Sequence, residues 1–218
     1  MSESVAKPAE AKSGFWAEVE SFKSPEVKSI ANLPVVGEKA PSNAKLSLPN
    51  GQKSLILFLR HCGCPFAEKT FKRLAALSDK HRDIRCLAVS HSSREATERW
   101  IPQVGGAWQT DMVIDPGRDL YAEWGLGLSS TWHAFNPFSL YSVYRLGADE
   151  GIWNRATESG SRWQTSGAFA VDSDGTVRWL HVSQTADDLP DFDAALGALG
   201  KSIEPHHDKL DKKAAEKP

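Results

Sequence analysis

The chain has 218 residues, 40% of them apolar, with 26 Lys and Arg against 28 Asp and Glu for a formal charge of −2. That length supports one substantial core, and the near-neutral balance offers no basic footprint for nucleic acid or an anionic membrane surface. No apolar run reaches the roughly 18 residues of a membrane span, and the opening MSESVAKPAEAKSG lacks the apolar centre of a signal peptide, so a cytoplasmic protein with no nucleic-acid or membrane partner is expected.

Residues 1–13 are polar and rich in Ala, Lys, Ser and Glu, and read as a disordered lead-in. In GFWAEVESF, Phe15, Trp16, Val19 and Phe22 fall at helical intervals, which predicts a short amphipathic helix over 14–22. The Pro- and Gly-punctuated stretch 33–52 reads as short extended pieces ending in a hairpin turn at Asn50-Gly51. SLILFLR (54–60) is nearly continuous in apolar residues, the pattern of a strand buried on both faces. A helix starts at once: Pro65 suits a first helical position, and Phe71, Leu74 and Leu77 give it a core stripe.

IRCLAVS (84–90) is a second buried strand, SREATERWIPQVG (93–105) a second helix, and TDMVIDPG (110–117) a third strand ending in a turn. This β-α-β-α order implies parallel pairing. RDLYAEWGLG predicts a short helix closed by Gly125. Residues 126–163 show no sustained period but carry Trp132, Phe135, Phe138, Tyr141, Tyr144, Trp153 and Trp163, so they read as a long aromatic insertion that packs over a sheet edge, covers a site or forms a dimer surface. SGAFAVDSDGTVRWLHV (166–182) alternates on both sides of Asp174-Gly175, a hairpin signal, and a last helix falls in 188–200. The expected organisation is one domain over 14–200 and a flexible charged tail over 201–218, with the tail histidines His206 and His207 solvated.

The chemistry concentrates in RHCGCPFAEK (60–69), which places Cys62 and Cys64 at the junction of the first core strand and helix. Three cysteines are too few for a disulfide framework, and Cys86, inside an apolar strand, reads as core. Cys64 would cap the helix with Pro65 as first residue, so its sulfur would face N–H groups that lack a helical partner and favour a thiolate by roughly 0.3 to 2 kcal/mol. Arg60 and His61 are the cations at hand to add to that. Cys62 and Cys64 would stand roughly 7 Å apart if extended, near the outer limit for a disulfide, so a bridge between them needs a bend at Gly63. His61, Cys62 and Cys64 lack a fourth ligand at usable spacing, and neither a metal nor another cofactor is expected.

The stretch VVGEKAPSNAKLSLPNGQKSLILFLRHCGCPF, with its Gly37, Ala40-Pro41, Gly51 and Arg60 before Gly63-Cys64-Pro65-Phe66, resembles the entry of the alkyl hydroperoxide reductase/thiol-specific antioxidant (AhpC/TSA) group, in particular its peroxiredoxin-like branch. DPGRDLYAEWGLG and QTSGAFAVDSDGTVRWLHVS extend the resemblance over roughly 33–198. It implies a thioredoxin-like α/β fold, a central mixed sheet flanked by helices, here with an N-terminal extension and the aromatic insertion. It also implies a thiol oxidoreductase with Cys64 as nucleophile, helped by Arg60 and His61 and resolved by Cys62 or by an external thiol, thioredoxin or glutathione. Pro65, Phe66, Trp132, Gln164, Ser166 and Gly167 are the candidate substrate contacts, and a homodimer is compatible. The chain departs from the family's Pro-x-x-x-Thr/Ser-x-x-Cys, with Leu57 and His61 at those two places, and from Cys-Pro-x-Cys, with Ala67 at the last. Two alternatives stand beside a peroxide or disulfide reductase: a small-molecule biosynthetic transformation on the same fold, and a non-catalytic scaffold subunit.

Overall fold

The computed structural model describes residues 14–130 and 137–201. Along the chain it forms α1 (Gly14–Ser21), β1 (Lys53–Phe58), α2 (Pro65–Lys80), β2 (Ile84–Ser90), α3 (Arg94–Gln103), β3 (Thr110–Ile114), α4 (Asp119–Glu123), α5 (Pro137–Glu150), β4 (Gly167–Val171), β5 (Val177–Val182) and α6 (Phe192–Ala198). The expected lead-in, most of the expected tail and Trp132 lie outside the described residues.

The strands make one five-stranded sheet in the order β3-β2-β1-β4-β5. β1, β2 and β3 run parallel, as the alternation of strands and helices requires, while β4 pairs antiparallel with both β1 and β5. This is the mixed sheet of a thioredoxin-like fold. Residues of β1 alternate between two cores. Leu55 and Leu57 join Phe71 and Leu74 of α2, Trp100 of α3 and Leu196 of α6 on one face. Ile56 and Phe58 join Tyr121, Trp124, Phe169 and the incoming Leu46 and Leu48 on the other. Burying each large apolar side chain contributes about 1.5–3 kcal/mol, so two-sided burial explains why the strand is apolar without alternation. Cys86 is in the first core, as expected, and burial pushes its thiol up to about 12.

Local signals set the ends. Ser93 caps α3, accepting from the Ala96 N–H at 3.2 Å, and Gly175 takes φ +85° in the β4–β5 turn. Three expectations are corrected. Residues 45–49 form no strand, so Asn50-Gly51 turns into β1 without a hairpin partner. In α1 it is Ala17 and Ser21 that are buried, whereas Trp16, Val19 and Phe22 are exposed, because Glu18 and Ser21 anchor the helix through polar contacts to Arg162. Within the stretch read as aperiodic, α5 forms on a buried stripe of Ser139, Val143, Leu146 and Gly147, helically spaced but half of it not apolar. Gly147 is small because the Trp153 ring lies where its Cβ would be, 2.4 Å away.

Candidate active site

β1 delivers the chain to the site, and the ladder continues one step beyond it: the Leu59 N–H donates to the Val89 carbonyl at 2.9 Å. Tyr121 Oη lies 2.7 and 2.8 Å from the Leu59 and Val89 carbonyl oxygens, sharing its hydrogen between them, which fixes the ends of β1 and β2 beneath the cysteine turn. Gly63 makes the turn with φ +108°, and a Cβ there would meet the Arg155 carbonyl oxygen at 2.9 Å. Only glycine meets both demands.

Cys64 is the N-cap of α2 with Pro65 as the first helical residue, as expected. Its sulfur does not accept from the helix N–H groups, which corrects that part of the expectation. It is held instead by Arg60, whose Nη1 stands 3.4 Å from Sγ. Arg60 is 6% exposed, its Nη2 donates to the Arg162 carbonyl at 2.8 Å, its Nε has no partner, and no carboxylate among the described residues pairs with it. A buried guanidinium without a carboxylate is costly, and the sulfur of Cys64 is the side-chain atom that stands against it.

Cys62 occupies different surroundings. Its Sγ is 3.6 Å from Ser90 Oγ and 3.7 Å from Thr97 Oγ1, and its N–H donates to Ser92 Oγ at 3.1 Å. Burial pushes the Cys62 thiol up, against the hydrogen bonds of Ser92, Ser90 and Thr97. All three cysteines are free. His61 is buried, with Nδ1 3.2 Å from the Cys62 carbonyl and 3.3 Å from Thr157 Oγ1. Burial, then the charges of Arg60 and Arg162, hold it well below the ordinary histidine value, so it is neutral beside the site.

Residues 154–162 form a strap across the turn. The Arg155 N–H donates to the Gly63 carbonyl at 3.0 Å, and its guanidinium pairs with Glu68 of the first turn of α2 at 2.8 Å. Burial opposes ionisation of Glu68, but the hydrogen bonds from Arg155 and Lys72 outweigh it and keep its carboxyl below the ordinary range. Arg162 pairs with Glu18 and lies under the Phe22 ring at 4.5 Å, tying the strap to α1. Between strap, α2 and α5 remains a cleft of about 70 Å³ lined by Arg60, His61, Cys64, Pro65, Phe66 and Arg162, with Ser139, Val143 and Asn154 closing it.

Cys64, Arg60, His61, Pro65 and Phe66 are thus brought together. Cys62 is not on this cleft. Nor are Gln164, Ser166 and Gly167: Gln164 donates to the Leu126 and Gly127 carbonyls and lines another cavity, and Ser166 bonds Ser183 at 2.9 Å. Arg162, Thr157 and Asn154 escaped the sequence reading, since no spacing or motif marks them in an irregular segment. Among the described residues no cluster of three or more His, Cys, Asp or Glu could hold a metal ion, and no helix is long and apolar enough to cross a membrane. The arrangement can present a sulfur, beside a guanidinium, to a molecule of a few heavy atoms, since a water occupies about 30 Å³.

A sequence model of the AhpC/TSA antioxidant enzyme family matches residues 70–185, more than half of the chain. The match begins after the cysteine turn and does not include Cys64. No curated protein matches the sequence significantly. Among solved structures, a peroxiredoxin-like protein from Aquifex aeolicus superposes with TM-score 0.54 at 13% identity, over 80% of this chain and 91% of its own. A thiol peroxidase from Chromobacterium violaceum gives 0.51 at 17%, over 83% and 94%. A peroxiredoxin 6 mutant from Arenicola marina gives 0.54 at 12%, over 76% and 72%. At these identities the likeness shows the fold.

Proposed function

This chain belongs to the AhpC/TSA antioxidant enzyme family, and on that premise we propose that it is a thiol oxidoreductase in which Cys64 reduces a small hydroperoxide. The observation that carries the reading is the Arg60–Cys64 pair: a buried guanidinium with no carboxylate partner among the described residues, 3.4 Å from a sulfur that opens on a cleft fit for a few heavy atoms.

The thiolate of Cys64 attacks the terminal oxygen of ROOH, forming S–O as O–O breaks. The sulfur is oxidised by two electrons and the peroxide leaves as an alkoxide, protonated by solvent to the alcohol. The guanidinium of Arg60 holds the anionic sulfur, and its charge opposes the negative charge that develops on the leaving oxygen. His61, neutral, packs the wall of the cleft and does not donate a proton.

The sulfenic acid is resolved by an external thiol, glutathione or thioredoxin, which displaces water to form a mixed disulfide; a second thiol then releases the disulfide and restores Cys64. Cys62 is not assigned this role, because its sulfur is bonded to Ser90 and Thr97, off the cleft. The test is hydroperoxide turnover coupled to each reductant. Cys64→Ser is expected to abolish it and Cys62→Ser to retain more than half. Equal loss in both variants would assign resolution to Cys62, and full activity in Cys64→Ser would end the redox reading.

A further inference from the structure

A second cavity, about 220 Å³, shares no lining residue with the Cys64 cleft. Its walls are mainly apolar, from Ile30, Ala122, Leu126 and Leu128, with Gly127 and Gln164 at their junction. Two cations reach it, Lys28 and Arg118. Lys28 is already paired with Asp119. Arg118 is 9% exposed and donates from Nη2 to the Glu26 carbonyl at 2.7 Å, but no carboxylate among the described residues pairs with it. The backbone there is left-handed, at φ +60°, a conformation an arginine adopts rarely. The result is a nine-tenths buried guanidinium facing an apolar-walled space with no carboxylate in contact with it among the described residues, the adjacent Asp119 being paired with Lys28.

A guanidinium presents parallel N–H groups that match a carboxylate, and with Lys28 committed to Asp119 one negative charge is what the site lacks. At about 30 Å³ for each water-sized group, 220 Å³ holds about seven heavy atoms, so an acid of five or six carbons fills it, the carboxylate of the longer one reaching the cavity mouth. We propose that this cavity binds a short-chain aliphatic monocarboxylate, with its carboxylate on Arg118 and its chain along Ile30, Leu126 and Leu128. The proposal is independent of the peroxidase reading, since none of these residues touches Cys64.

The test is titration of the full chain with hexanoate, and with hexanol as the uncharged control, by calorimetry and ligand-observed NMR. Hexanoate is expected to bind in the micromolar to low millimolar range and hexanol at least tenfold more weakly. Arg118→Gln should weaken hexanoate at least tenfold. Because Arg118 also supports the backbone at Glu26, a second variant leaves it in place: a Cβ on Gly127 would sit 3.6 Å from Ile30 Cγ1, an ordinary contact, so Gly127→Val starts its side chain from an accepted position and places its methyls in the cavity. Gly127→Val is expected to abolish hexanoate binding while the alkylation rate of Cys64 stays at the wild-type value. The proposal is overturned if hexanoate does not bind, if hexanol binds equally well, if Gly127→Val binds hexanoate as before, or if hexanoate protects Cys64 from alkylation.

Discussion

Replacing Arg60 by Met separates charge from access at the nucleophile. At 3.4 Å and an effective dielectric constant of about 20, the guanidinium and a thiolate attract by about 5 kcal/mol. Desolvation and loss of the hydrogen bond to Arg162 offset part of this, and mutational series place a hydrogen bond to a charged group at about 1.5–3 kcal/mol. Arg60→Met should therefore slow alkylation of Cys64 by iodoacetamide roughly 10- to 150-fold at pH 7, read by quenched time points and peptide mass spectrometry. Access works the other way, because Cys64 is 3% exposed and a shorter neutral side chain opens the cleft. The sign of the change therefore decides between the two effects. Arg60→Lys should fall between wild type and Arg60→Met, keeping the charge and losing the fork. Stability should stay within about 1.5 kcal/mol, since the substitution also removes a buried cation with an unpartnered Nε. Unchanged or faster labelling in a folded Arg60→Met variant would refute the electrostatic role.

Gly63→Ala is expected to cost about 3 kcal/mol or more in chemical denaturation, combining a positive-φ backbone with the 2.9 Å approach to the Arg155 carbonyl; a loss under about 1 kcal/mol would show that the strap can move aside. Stability should also fall as pH drops from 6.5 towards 4. His91 is held at about 4, first by burial and then by the charges of Arg118 and Arg60, against a hydrogen bond to the Ser161 carbonyl. The unfolded chain takes up that proton below 6.5 and the folded one does not until about 4, so His91 alone contributes roughly 3 kcal/mol of this loss, and His61 adds in the same direction. Urea unfolding at stepped pH checks it, with His91→Gln expected to flatten the slope.

The strands were legible in the sequence because burial on both faces leaves a continuous apolar run, as in SLILFLR, and the α2 start because proline and the apolar stripe agree. The Cys64–Arg60 pair was legible because four residues across one turn bring it together. The rest of the cleft was not. Arg162 is 102 residues from Arg60 and is placed by contacts to α1 that no spacing announces. α5 was hidden because serine and glycine share its buried face. Gln164, Ser166 and Gly167 were read as substrate contacts at the entry to β4. A turn over 161–164, closed by the Gln164 N–H donating to the Ser161 carbonyl, separates them from the site: Arg162 lines the cleft while Gln164 lies beyond the turn, in a bridge to Leu128, and lines the second cavity.

Treating the reduced protein with stoichiometric hydrogen peroxide in the presence of dimedone, then mapping the adduct by mass spectrometry, tests Cys64 as the oxidised atom most directly. A dimedone adduct confined to Cys64, lost in Cys64→Ser and strongly reduced in Arg60→Met, is the expected result. An adduct on Cys62 or Cys86, or none on any cysteine while peroxide is still consumed, would contradict it.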